Sequence, residues 1–309
     1  MMTKTGGSRF NPDEPFVYFI ASNVDRQQWG QRTHKNVLVA VNEVGPEDLP
    51  KVQGWIDNGR NVFIDSGVYS LAMRHAEKYG LSHDAALALA PEDVDGFPQL
   101  YERYIDIMKT VGHDTWGYIE IDFGGRDNKI KTRAKLEAQG LRPIPVYHPF
   151  ADGWDYFDYL ADTYDRICFG NVVQADRATR IRLVATAWER KRRKPNLWIH
   201  LLGLTPNEWL NAFPISSGDS SSWLSAIRWS GYIERTDGRT MGALPKNFQY
   251  VLGSDPTSEV GSQKAVKMSA YGSYMTQRNW RMHMKDLEAL GCDPFPAPTS
   301  PPQIKSNPS

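Results

Sequence analysis

Three aspartates each close a short apolar run: Asp65 in "NVFID", Asp122 in "WGYIEID" and Asp219 in "FPISSGD". Serine or glycine follows each within two residues. His148 ends "RPIPVYH", Gly170 and Asn171 follow "RICF", and His200 and Gly203 lie in "LWIHLLG". Glycines at such places let a ligand approach the backbone. Two carboxylates across a sugar anomeric carbon are the equipment of retaining glycosyl transfer: one attacks the carbon, the other handles the proton of the leaving group. The competing use is a divalent metal held by the three aspartates with His148 or His200. No His-x-His or His-x-x-x-His spacing favours it. Taken singly, each aspartate reads as a helix cap. In "SSGDSSSWL" (216–224) the small residues suit a solvated turn, and Asp219 could cap a helix beginning in "SWLSAIRW". Three carboxylates at matching places point instead to one shared site.

The elements that must position these residues alternate. Apolar runs at 16–20, 37–41, 61–65, 116–122, 142–148, 166–170, 197–203 and 213–216 have strand length. Between most of them lie segments of helical period, such as "FPQLYERYIDIMKTVG" and "DNKIKTRAKLEAQG", ending in Gly as a helix C-terminus prefers. This alternation predicts a parallel sheet, and eight such strands predict an α/β fold of the (β/α)8 TIM-like barrel type. In such a barrel the carboxyl ends of the strands carry the active site. The expected organisation is a barrel domain over 1–230, a C-terminal helical extension packed on it over 231–291, and a Pro/Ser-rich disordered tail over 292–309.

Five segments, in order across 61–229, resemble motifs of the tRNA-guanine transglycosylases. "IDSGVYS" resembles their Asp-Ser-Gly-Gly-Phe/Tyr motif, and "IEIDFGG" their second aspartate segment. "CFGNVVQ" resembles their Gly-Gly-Leu segment, and "IHLLGLTP" their Leu-Met-Gly-Val-Gly-x-Pro run. "SGDSSSWLS" sits where that family keeps its nucleophile. The Asp-Ser-Ser-Ser-Trp variant, the short length and the lack of zinc cysteines look more like the DpdA-type DNA-guanine transglycosylases of phages and DNA-modification islands. The resemblance implies exchange of guanine in DNA for a free 7-deazaguanine base, of preQ0 type. Asp219 would be the nucleophile and Asp65 the general base, and Asp122 would read the guanine edge. Tyr69 and Leu202 would sandwich the base. Ser66, Gly67, His148, Gly170, Asn171 and Gly203 would complete the pocket. His148 replaces a glutamine usual in the family. The implied chemistry needs no cofactor, and no zinc subdomain is expected, since the 309 residues include two cysteines. A transfer-RNA enzyme, a non-catalytic nucleic-acid-binding subunit and a metal-dependent barrel hydrolase are the alternatives.

Lys+Arg and Asp+Glu number 36 each, so any polyanion contact must come from a local patch. "GGRDNKIKTRAK" (124–135) begins beside Asp122 and offers Arg126 and Lys129 as phosphate contacts. "KAVKMSAYGSYMTQRNWRMHMK" (264–285) interleaves cations with Tyr271, Tyr274 and Trp280, which suits either base stacking or packing onto the barrel. With no apolar leader and no run of membrane-spanning length, the expected location is the cytoplasm, of a host cell if the chain is phage-encoded, with no membrane partner.

Overall fold

The computed structural model describes residues 2–224 and 259–290. Among these the strands are β1 (Val17–Ala21), β2 (Asn36–Ala40), β3 (Asn61–Asp65), β4 (Gly117–Tyr118), β5 (Val146–Tyr147), β6 (Arg166–Phe169), β7 (Trp198–Leu201) and β8 (Ser217–Ser220). They form one eight-stranded sheet in the order β4-β3-β2-β1-β8-β7-β6-β5, with every pair parallel. The helices are α1 (Val24–Gly30), α2 (Leu49–Asp57), α3 (Val68–Tyr79), α4 (His83–Ala88), α5 (Phe97–Val111), α6 (Gly125–Ala138), α7 (Trp154–Thr163), α8 (Arg177–Arg193), α9 (Glu208–Ala212) and α10 (Glu259–Ala289). The result is an α/β fold with a curled, all-parallel sheet, compatible with a TIM-like barrel.

Alternation along the strands sorts their side chains into an inner and an outer layer. Val17, Phe19, Leu38, Phe63, Val146, Cys168 and Trp198 form one apolar cluster on the inner side of the curl. Their neighbours Ile20, Val37, Val39, Val62 and Ile64 belong to a second cluster, shared with helical residues such as Leu71 and Tyr104. A strand buried on both faces reads as a continuous apolar run, which is why β1, β2 and β3 are legible in the sequence.

The sheet's two edge strands are the shortest. One parallel bridge, Ile119–Ile144, links the segments beside β4 and β5. Beyond it the Val146 amide donates to the Glu120 carboxylate at 2.7 Å rather than to a strand carbonyl, and Arg133 holds that carboxylate from α6 at 2.7 Å. Pro143 and Pro145 also remove two ladder donors. The expected strands at 116–122 and 142–148 are therefore two residues each.

The eighth strand is a correction. It is "SGDS", not the apolar 213–216. Serine hydroxyls make a polar strand burial-competent here. Ser216 Oγ accepts from the Ile199 amide at 3.3 Å, and Ser217 Oγ accepts from Trp198 Nε1 at 2.7 Å. Only a short 3-10 turn, Ser222–Leu224, follows among the described residues, and the rest of the expected "SWLSAIRW" helix lies outside them.

Helix α10 packs against α1, β1 and α9. Gln277 Oε1 accepts from the Tyr18 amide and from Asn36 Nδ2, both at 2.7 Å. Trp280 is buried against Phe16 with ring centroids 5.2 Å apart, so it serves packing rather than base stacking. The remainder of 231–291 and the 292–309 tail lie outside the described residues. None of the described helices is long and apolar enough to cross a membrane.

Candidate active site

Asp65 ends β3, and the chain turns at once through Gly67. Gly67 has φ of 80°, and a Cβ there would lie 2.5 Å from Asn42 Oδ1, so only glycine fits. Its amide donates to Asp65 Oδ1 at 2.7 Å. Burial is the main force on the Asp65 carboxyl, with the charges of Asp122 and Asp219 adding to it, and its pKa is pushed up to about 7. The Gly67 amide opposes the rise. Asp65 therefore changes protonation near neutrality, where a group that both gives and takes a proton works best.

Asp122 meets this turn from beyond β4. Its Oδ1 accepts from Ser66 Oγ at 3.3 Å, and its Oδ2 is 2.9 Å from His148 Nε2. Burial pushes its pKa up, but the His148 bond and the His148 and Lys129 charges outweigh that, and the net shift is downward. Asp122 is thus a carboxylate, an acceptor for N–H donors. Gly170, after β6, lies against the His148 ring, where a Cβ would fall 2.7 Å from Cδ2.

Asp219 is inside β8, not in a loop after it. It is 7 % exposed, and its Oδ1 takes both the Gly203 amide at 3.0 Å and His200 Nε2 at 3.1 Å. No helix amide reaches it among the described residues. Oδ2 carries no hydrogen bond among the described residues. Behind Asp219 a chain of bonds runs through His200: the Asp219 carboxylate can only accept, so Nε2–H donates to it and, in the neutral ring, Nδ1 is an acceptor. Trp198 Nε1 can only donate, and it donates to Ser217 Oγ, which lies 2.8 Å from His200 Nδ1. Ser217 Oγ–H in turn donates to Nδ1. The His200 ring is wedged against Phe63 at 4.8 Å and Phe19 at 5.9 Å. Period-two spacing carried this signal: Trp198 and His200 face Ser217 and Asp219 across the β7–β8 ladder, and sequence reading did not pair them. Cys168 stands opposite His200 in the neighbouring strand, with its thiol pushed well up, chiefly by burial.

The rim is less enclosed. Tyr69 is 59 % exposed and lies against His83, with ring centroids 4.5 Å apart. His83 Nδ1 is 3.0 Å from Gln174 Nε2 of the loop after β6. Gly203 packs against Val173 of that loop, and Leu202 packs on the inner cluster. Asn171 takes a left-handed backbone, φ 57°. So Asp65, Ser66, Gly67, Asp122, His148 and Gly170 form one connected group; Asp219 with Gly203 joins it through the electrostatics of Asp65; Tyr69, Asn171 and Leu202 lie on the flanking segments.

The two expected phosphate contacts are placed otherwise. Lys129 has no exposed surface: its ammonium is ion-paired with buried Asp152 and donates to the Val146 carbonyl at 3.0 Å. Asp152 also accepts from the His148 amide at 2.7 Å, so Lys129 supports the His148 loop from beneath. Arg126 is half-exposed, but bound to Asp155 at 2.8 Å and laid over the Tyr156 ring.

Among the described residues no three His, Cys, Asp or Glu side chains are grouped as a metal ion would need. His148 and His200 are each committed to a different aspartate. Compared with models of protein families and with curated proteins, the chain matches none.

Proposed function

We propose that this chain is a base-exchange glycosyltransferase acting on nucleic acid, replacing guanine in DNA by a 7-deazaguanine. In this reading the curled sheet is a (β/α)8 barrel, and the carboxylates stand at its mouth. The observation that carries the reading is one cluster holding two carboxyl groups in opposite settings. Asp219 is aimed by two donors on a single oxygen, and Asp65 is poised to exchange a proton near pH 7.

A guanosine turned out of its stack enters the mouth. Asp219 Oδ2 attacks C1′ while the C1′–N9 bond breaks, and the bond pair goes to N9. Protonated Asp65 delivers its proton to the departing guanine, leaving a glycosyl ester on Asp219. The incoming base then gives its N9 proton to Asp65 carboxylate. N9 bonds to C1′, and the ester bond breaks to restore Asp219. Asp122 accepts N–H bonds from the guanine Watson–Crick edge, at about 1.5–3 kcal/mol each for a charged, buried acceptor. Adenine presents no such pair of donors. His148 holds Asp122 through Oδ2 and acts on the base through it.

The test is a side-by-side exchange assay with labelled guanine and labelled 7-deazaguanine, offered matched single-stranded DNA and unmodified transfer RNA. Label entering the DNA is expected, faster in single strands than in closed duplex. Efficient labelling of the RNA alone would restore the transfer-RNA reading, and labelling of neither would remove base exchange altogether.

A further inference from the structure

The cations that sequence reading assigned to phosphate are spent. Arg126 is paired with Asp155 and Lys129 with Asp152. The basic run at the end of α8, not assigned to phosphate, is also neutralised: Arg190 pairs with Asp158, and Lys194, just past the helix, with Asp162. A different place holds unneutralised charge. Between α3 and α5 lies a cleft of about 470 Å³. Arg74 and Lys78 line it from one helix, and Gln99 and Arg103 from the other. Each pair is spaced four residues apart, so each stands on one helix face. The lining contains one carboxylate, Asp95, already taken by Lys78 at 2.6 Å and the Tyr79 hydroxyl at 2.8 Å. Among the described residues Arg103 has no hydrogen bond or ion pair. Arg74 makes only a long 3.4 Å bond to the Ser70 carbonyl within its own helix. Two guanidinium forks thus face a cleft with no anion to bind.

The cleft also adjoins the catalytic turn. Its wall includes Asn42, the residue that leaves no room for a Cβ at Gly67, two residues after Asp65. The Asn42 Oδ1 atom is buried without a hydrogen-bond partner.

We infer that this α3–α5 cleft binds backbone phosphates of the nucleic-acid strand whose base enters the aspartate cluster, with Arg74 and Arg103 as the two phosphate forks. The inference rests on the base-exchange reading for the identity of the strand. Arginine suits the task because its planar fork meets two phosphate oxygens at once. A strand held here runs past the mouth rather than across α6 or α8.

Binding separates from chemistry if the probe carries no guanine. A labelled single-stranded DNA of about 12 nucleotides, made of A, C and T only, is titrated by fluorescence anisotropy at several salt concentrations. The Arg74→Gln/Arg103→Gln protein should bind more weakly and show a log–log salt slope smaller by about 1.4, two single-strand contacts at about 0.7 each. Between roughly 0.05 and 0.2 M salt, the wild type should then lose about sevenfold more affinity than this variant. Arg190→Gln/Lys194→Gln, on the neutralised face, should bind as wild type. An unchanged slope in the Arg74/Arg103 variant overturns the inference. So does saturable, arginine-dependent binding of inorganic phosphate by a protein that leaves the strand unbound. Should the wild type bind the strand through these arginines yet exchange no base, the phosphate site stands and the transglycosylase reading falls.

Discussion

At the amino ends of the strands a buried cation is satisfied by the protein itself, whereas at the carboxyl ends buried anions are left partly unsatisfied. Arg166 enters from β6 and is 1 % exposed. Its guanidinium donates to Thr5 Oγ1, to the Trp116 carbonyl at 2.7 Å and to the Gly6 carbonyl, and covers the Phe10 ring at 4.2 Å. Burial lowers its pKa only to about 10, so it stays charged. Phe10 in turn sits edge-on to Trp116 and Trp198 at 5.4 and 5.0 Å and closes that end. At the other end half-buried Asp65 has one amide for its carboxyl, and buried Asp219 has an oxygen with no protein partner among the described residues. A cation bonded through each of its three nitrogens and covered by an aromatic ring marks a structural plug. Open acceptor positions among the described residues, beside a carboxyl perturbed toward neutrality, are what the proposed base-exchange site needs.

Removing a group from each end should therefore damage different properties. Asp219→Asn should keep the fold and cut base exchange about a thousandfold or more, since a nucleophile is not replaceable; steady-state exchange beside a melting curve checks both. Asp65→Asn should lower exchange by about 10²–10⁴ through loss of proton transfer. In the wild type, guanine release should fall as pH rises through about 7, where Asp65 loses its proton, and single-turnover rates against pH would show it. That titration also bears on stability. Above the ordinary carboxyl value of 3.8 and below about 7, folded Asp65 holds a proton that the unfolded chain has lost. Stability accordingly falls as pH rises through that window, and Asp65→Asn should flatten the slope of melting temperature against pH.

At the sealed end, Arg166→Met should cost about 2–5 kcal/mol by leaving carbonyl acceptors buried and unpaired. Denaturant unfolding measures it, and exchange per folded molecule should hold. His200→Phe should have the smallest effect on catalysis, lowering kcat roughly tenfold with little change in KM, because Asp219 keeps the Gly203 amide. His200→Gln, which can still present an N–H, should recover part of it.

The same contrast decides what could be read from the sequence. Helices α2, α5, α6, α7 and α8 were legible within a few residues: apolar residues recur at helical spacing in α2, α5 and α7, and a glycine follows α2, α5 and α6. Asp65, Asp122 and Asp219 were legible as a set because each follows an apolar run. Strand β8 was misplaced onto 213–216, since its burial depends on serine hydroxyls meeting donors from β7, a relation between strands that a linear pattern does not carry. Lys129 was misread for a similar reason. A lysine on a helix reads as surface, and only the fold shows Asp152 waiting beneath it. The α3–α5 cleft was invisible because its arginines come from helices far apart in sequence, and α3 itself was not expected.

The central claim is that Asp219 forms a covalent bond to the strand. Enzyme mixed with guanine-containing single-stranded DNA, with no incoming base, is denatured and run on a gel, and the shifted species is digested and mapped by mass. A band joining protein to DNA, with the added mass on Asp219 and no band from Asp219→Asn, is the predicted result. The same band persisting in Asp219→Asn would contradict the account.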